Sequence, residues 1–222
     1  MTPTGYPLDD GRAEYALTFD RGNPVRVLMI PALFDEGHKL RRLCVDTMRR
    51  LDRSGIDSVL PDLPGTNEST AELRRIGLAD WARAMAVAAQ HFGVTHVMAI
   101  RGGGLIVPPG LPGWRYGAVK GASLLRTMLR ARVLSSRELG REESAEGLLV
   151  EAQEHGIELA GYRLGAEMVQ HVQAAAPQPL PGIAEIDQDV IGGSPLWLRA
   201  EPDADPAQAD ALAAYITMAV RH

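Results

Sequence analysis

Residues 97–106 read VMAIRGGGLI, an apolar run that stops at one arginine and three consecutive glycines. With the two residues before it the run becomes THVMAI (95–100), apolar nearly throughout, which is the pattern of a parallel strand covered on both faces. The glycines that follow allow a tight strand-to-helix turn, and Arg101 stands at its apex. A buried strand ending in such a turn fixes the layer architecture of its neighbours, so the remaining elements are read outward from it.

Upstream, a helix carries Trp81, Met85, Ala88, Ala89 and Phe92 on one face and stops at Gly93. Before it, DSVLPDLPG (57–65) reads as a short strand running into a loop, after which Ser69 or Thr70 is placed to cap a helical turn around Glu72. Leu40, Leu43, Cys44, Met48 and Leu51 fall at i, i+3, i+4, i+8 and i+11, one face of a helix that ends at Gly55. Lys39, Arg41, Arg42, Arg49, Arg50 and Arg53 mostly lie opposite, the pattern of a solvated face. VRVLMIP (25–31) and EYALTFD (14–20) are strands separated by Gly22-Asn23-Pro24. Strand and helix alternate in units of about thirty residues, which implies right-handed crossovers and a mostly parallel, doubly wound α/β sheet.

The second half is less regular. WRYGAV (114–119), IELAGYRL (157–164) and PLWLRAE (195–201) read as strands, and 122–135, 166–176 and 206–220 as helices. Residues 136–147 are polar and charged, the composition of a surface loop or part of a cap, and about 121–155 is expected to be a reduced cap or inserted helical segment on one domain spanning 1–222. No long Gly/Ser/Pro-rich linker divides the chain.

A net charge of −5 argues against a nucleic-acid partner. Lys39 and Lys120 are the only lysines, and the single cysteine, Cys44, excludes an internal disulfide and a cysteine-based metal framework. No apolar run approaches the roughly 18 residues that span a bilayer, and MTPTGYPLDDGR lacks the basic-then-apolar order of a signal peptide. The expectation is a cytoplasmic protein with no membrane partner, no cofactor and no metal.

In doubly wound sheets ligands bind beyond the carboxyl ends of the strands, which directs attention to 31–39, 61–70, 101–104, 120–123 and 201–205. Three of these loops carry recognisable frames. DLPGTNES (62–69) has an Asp-x-x-Gly-x-x-x-Ser spacing, IPALFDE (30–36) follows an early strand, and AIRGG (99–103) fits a small-x-nucleophile-x-small elbow. In this order they resemble α/β-hydrolases, with 30–36 at the position of the oxyanion loop. GASLLRTMLRARV (121–133) and ELAGYRLGAEM (158–168), with the Ala160-Gly161-Tyr162-x-Leu164 strand end and the arginine-bearing elbow, resemble the bacterial group called exosortase A system-associated hydrolase 2. That resemblance covers roughly residues 24 to 200. It implies a bacterial protein linked to exopolysaccharide and protein-sorting loci, without implying a substrate.

Serine hydrolysis needs an elbow nucleophile, a histidine within reach and an orienting acid. Arg101 holds the nucleophile position, and a guanidinium stays protonated in proteins, so it is neither nucleophile nor base. After the 195–201 segment the only histidine is His222; His155 and His171 come before it, and neither Ser123 nor Ser194 has an elbow around it. The glycine run matches neither a Walker loop nor Gly-x-Gly-x-x-Gly.

Two roles remain for Arg101. If the elbow opens a helix, free N–H groups at its N-terminus together with Arg101, Gly102 and Gly103, and with Phe34 and Asp35 alongside, make a pocket for a small anion where an oxyanion hole would be. Alternatively Arg101 pairs internally with Asp35, Glu36, Asp62 or Glu68 and ties loops together. His38, Asp62 and Glu68 are the first candidates for acid–base chemistry in an active enzyme. The functional expectation is a degenerate hydrolase-like protein that binds an anionic ligand or a partner protein. The alternatives are a hydrolase or acyltransferase acting on esters or thioesters through non-triad residues, and a structural interaction module.

Overall fold

In the computed structural model, which describes residues 1–9 and 11–221, seven strands form one sheet in the order β1-β2-β4-β3-β5-β6-β9. These are β1 (Thr2–Pro7), β2 (Ala13–Phe19), β3 (Arg26–Ile30), β4 (Asp57–Pro61), β5 (His96–Ile100), β6 (Gly113–Tyr116) and β9 (Ile183–Ile186). β1 and β2 form an antiparallel hairpin, β2 runs antiparallel to β4, and every pairing from β4 through β3, β5 and β6 to β9 is parallel. The expected doubly wound, mostly parallel α/β sheet is therefore present, and β5 lies inside it with Val97 through Ile100 fully buried.

Side-chain alternation along the central strands divides the interior into two layers. Val27 and Met29 of β3 and Met98 and Ile100 of β5 pack with α1 (Asp35–Arg53) and α7 (Pro206–Ala219). Leu28, Ile30, Val97 and Ala99 pack on the opposite side with α2 (Leu78–His91), α3 (Gly121–Glu138) and α5 (Ala166–Ala174). The predicted stripe of α1 is the one buried: Leu40, Leu43, Cys44, Met48 and Leu51 are each at most 3% exposed. On α2, Trp81 is fully buried and its indole N–H donates to the Pro64 carbonyl at 2.9 Å, which ties the helix to the loop after β4.

Several elements differ from the sequence expectation. The segment 157–164 is not one strand but a two-stranded hairpin, β7 (Ile157–Leu159) and β8 (Tyr162–Leu164), turning at Ala160-Gly161, both with positive φ. The 195–201 segment contains a 3-10 turn, Leu196–Leu198, in place of a last strand. β1, β9, α4 (Ala145–His155) and the short α6 (Gln188–Ile191) were not anticipated. α4 takes its N-cap from Ser144, whose hydroxyl accepts from the Gly147 N–H at 3.1 Å, so only part of the polar 136–147 stretch is loop. Ser69 caps no helix: its hydroxyl accepts from the Gly65 and Ala71 N–H groups and donates to Glu14. No described helix is long and apolar enough to cross a membrane.

Candidate functional site

The carboxyl ends of β3, β4, β5 and β6 converge where the sequence placed the site. Arg101 follows β5 directly and has φ +53°, a left-handed conformation that L residues with large side chains avoid. Such strain at a strand-to-helix turn is what a nucleophile elbow requires. The turn continues only as a five-residue 3-10 helix, Arg101–Leu105. An α-helix N-terminus with its aligned free N–H groups, on which the anion pocket depended, does not follow the elbow.

The side chain of Arg101 is bound on three sides. Its Nε and Nη2 donate to the two carboxylate oxygens of Glu36 at 3.0 and 2.9 Å, and Nη1 donates to the Gly117 carbonyl at 2.7 Å. The guanidinium carbon lies 4.2 Å from the centre of the Trp197 ring. Arg101 and Glu36 side chains are each 13% exposed. Trp197 packs edge-on against Tyr116, whose hydroxyl donates to Gln188; burial pushes the Tyr116 phenol up to about 12. Gly117 has φ +57°, and a Cβ there would lie 3.1 Å from the Trp197 ring and 3.3 Å from Arg101.

The glycines of the elbow leave little space for a ligand. A Cβ on Gly102 would stand 2.7 Å from Leu124 and 2.9 Å from Leu33, and one on Gly103 would stand 2.5 Å from the Pro31 carbonyl oxygen. They are glycines because the loop after β3 packs directly on the turn. Phe34, in that loop, has φ +56°, a strained value for an aromatic residue; its carbonyl accepts from the Tyr162 hydroxyl at 2.9 Å and from the Gly37 N–H at 2.9 Å. Its ring packs against Trp81 and Tyr162, so the β7–β8 hairpin is fastened over the loop. Burial, helped by Asp35, pushes the Tyr162 phenol to about 12.

The remaining candidate residues are dispersed. Asp35 pairs with Lys39 one turn along α1 at 2.8 Å. Asp62 is buried, and its Oδ1 accepts from Arg41 at 3.0 Å and Asn67 at 2.8 Å, while its main-chain carbonyl accepts from the Tyr6 hydroxyl. It organises the loop after β4. Glu68 points to solvent. His38 is exposed, with its ring 5.9 Å from that of Tyr162, on the rim of a cleft of about 630 Å³ that also includes Thr66, Asn67, Arg74 and Arg163. Among the described residues His38 makes no hydrogen bond to a carboxylate, and no group of three or more His, Cys, Asp or Glu is placed to hold a metal.

His155 and His171 lie on helix surfaces beside Glu154 and Glu167. His222 falls outside the described residues. Ser194 serves through its carbonyl, which accepts from Gln208 at 2.8 Å. Trp197, Gly117 and Tyr162 were not anticipated in the site; the signal for Trp197 was an aromatic following Gly-Gly-Ser-Pro, where a regular strand is hard to begin.

No family model matches the sequence, and no curated protein sequence matches it. Solved structures do. Alpha/beta hydrolase domain-containing protein 10 from mouse superposes over 84% of this chain and 77% of its own at TM-score 0.55 and 8% identity. The chain has the α/β-hydrolase fold. The alpha/beta hydrolase GrgF from Penicillium sp. sh18 aligns over 79% of this chain and 73% of its own, at TM-score 0.51 and 14% identity. The chain spans 60% of a putative hydrolase from Agrobacterium vitis S4, at 13% identity and TM-score 0.44. The mouse and Penicillium likenesses show the α/β-hydrolase fold and nothing about the reaction. In this chain Arg101 stands at the turn after β5, and the 3-10 turn with Trp197 occupies the segment expected to form a last strand.

Proposed function

We propose that this chain is a catalytically silent α/β-hydrolase-like protein that acts by binding, its nucleophile elbow converted into a structural joint. The observation that carries the reading is the bidentate Arg101–Glu36 pair, closed on the other sides by the Gly117 carbonyl and the Trp197 ring. A protonated guanidinium at the apex supplies no nucleophile, and its charge is already matched. An anion at the elbow has to compete with an internal carboxylate held in fork geometry, so a protein partner fits better than a small anionic ligand. The resemblance of 121–133 and 158–168 to the exosortase-associated group supplies the setting: a bacterial exopolysaccharide or protein-sorting pathway, in the cytoplasm, with the 121–155 segment acting as a reduced cap.

The test is a panel of short-chain esters and thioesters, together with a fluorophosphonate label, on the purified protein. Neither turnover nor labelling above the buffer background is expected. Turnover that survives Arg101→Ala and is lost in His38→Ala overturns the reading in favour of an enzyme using non-triad residues.

A further inference from the structure

We propose that the exposed stripe of α3 is a docking surface for an anionic lipid bilayer. Arg126, Arg130, Leu134 and Arg137 follow one another at spacings of four, four and three residues, so they share one helix face, and Arg141 lies just beyond the helix end. All five are exposed. The helix has 18 residues, a rod of roughly 27 Å at 1.5 Å per residue, long enough to lie along a surface.

The pairing of these arginines sets them apart. On α1 most of the basic residues are matched: Lys39 holds Asp35, Arg42 and Arg49 hold Asp46, Arg50 holds Asp210, and Arg41 holds Asp62, which leaves Arg53 at the helix end. On α3, Arg132 holds Glu143. Among the described residues, no carboxylate lies within ion-pair distance of Arg126, Arg130, Arg137 or Arg141. Glu143 senses Arg141, but its oxygens already accept from Arg132 and Ser136. Four unmatched cations within sixteen residues of a chain whose net charge is −5 form a local positive field, not a reflection of overall basicity.

Apolar exposure adjoins that field. Leu134, inside the stripe, is 62% exposed, and Leu139, the residue that ends the helix, is 69% exposed. Guanidinium groups with leucines between them suit the headgroup–acyl boundary, where the cations meet lipid phosphates and the leucines enter the hydrocarbon edge. A nucleic-acid backbone gives the leucines nothing to contact. The lack of a membrane-crossing helix does not bear on peripheral docking, and the proposal is independent of whether the elbow is silent.

The test is co-sedimentation of the full chain with vesicles of phosphatidylcholine alone or mixed with phosphatidylglycerol. Two variants of equal net charge are compared. One carries Arg126→Gln, Arg130→Gln, Arg137→Gln and Arg141→Gln; the other carries Arg42→Gln, Arg49→Gln, Arg75→Gln and Arg83→Gln. Binding is expected to mixed vesicles only, to weaken with salt, and to fall by roughly fivefold per stripe arginine removed. The second variant is expected to bind as the parent does, and Leu134→Ser with Leu139→Ser to bind more weakly. Circular dichroism confirms that each variant is folded. No binding to mixed vesicles, equal loss in both charge variants, or binding of duplex DNA without vesicle binding overturns the proposal.

Discussion

Glu36 and Arg101 face each other across the gap between α1 and β5, joined by two nearly parallel hydrogen bonds of 3.0 and 2.9 Å. Glu36 lies in the first turn of α1, where the helix dipole favours negative charge. The pair therefore couples the start of that helix to the turn after β5.

Removing one member should leave a mostly buried carboxylate without a partner. Arg101→Ala is expected to destabilise the protein by roughly 2–4 kcal/mol in urea unfolding. Arg101→Lys should not restore the loss, because an ammonium lacks the planar fork and stacks poorly on Trp197. Arg101→Ser should gain no esterase activity, since among the described residues no histidine is hydrogen-bonded at that turn. A stability change in Arg101→Ala below about 0.5 kcal/mol, the range of ordinary surface substitutions, would remove the basis for the joint.

The glycine at the second position after the apex is a packing requirement. Gly103→Ala sets a methyl 2.5 Å from the Pro31 carbonyl oxygen and 2.8 Å from that of Ile30, both backbone atoms. A loss of about 1–3 kcal/mol is expected from overpacking. Thermal melts that match the parent protein would mean the loop after β3 is free to move away.

Cys44 reports global unfolding. It is 1% exposed, and burial pushes its thiol up to about 12, so the thiolate is scarce at neutral pH. A disulfide reagent should leave the native protein unlabelled for as long as it stays folded and should label it stoichiometrically in denaturant. Rapid labelling of the native state at pH 8 would show that α1 opens locally.

Acid should weaken the amino ends of β3 and β4. Burial alone would raise the Asp57 pKa, but hydrogen bonds from the Arg21 and Asn23 N–H groups, the Asn23 amide and Arg26 outweigh it and hold the carboxyl below the usual range. A depressed folded pKa means the stabilisation is complete above the unfolded value of about 3.9 and is lost as pH falls through the folded one. Burial also lowers the His96 pKa, so its contribution is present above about 6.5 and declines on acidification below that. Asp57→Asn should be less stable at pH 7 but lose less stability between pH 5 and 2. Parallel pH–stability curves for parent and variant would contradict this.

Much of the first half was legible because its signals are local. The α1 stripe and the uniformly apolar THVMAI each specify burial without reference to anything distant. β1 and β9 were not legible. TPTGYP contains two prolines and a glycine, and IAEI has only its end residues facing the interior, so both edge strands depend on a neighbour's hydrogen bonds. PLWLRAE failed in the opposite direction: it has strand composition, but Leu196 turns inward, Trp197 turns onto Arg101, and the segment joins neither sheet.

What the sequence determined by itself was the alternation of strands and helices from β3 to β5, the sharp turn after β5, and the arginine that stands on it. These follow from side-chain periodicity and from the chemistry of a single residue. Which carboxylate meets Arg101 was decided only by tertiary structure. Asp35, Glu36, Asp62 and Glu68 are equivalent as acids in loops near the same strand ends. α1 turns Asp35 toward Lys39 and Glu36 toward the elbow, the loop after β4 commits Asp62 to Arg41 and Asn67, and Glu68 faces water. Helix phase and loop path separate them, and neither is fixed until the layers have packed.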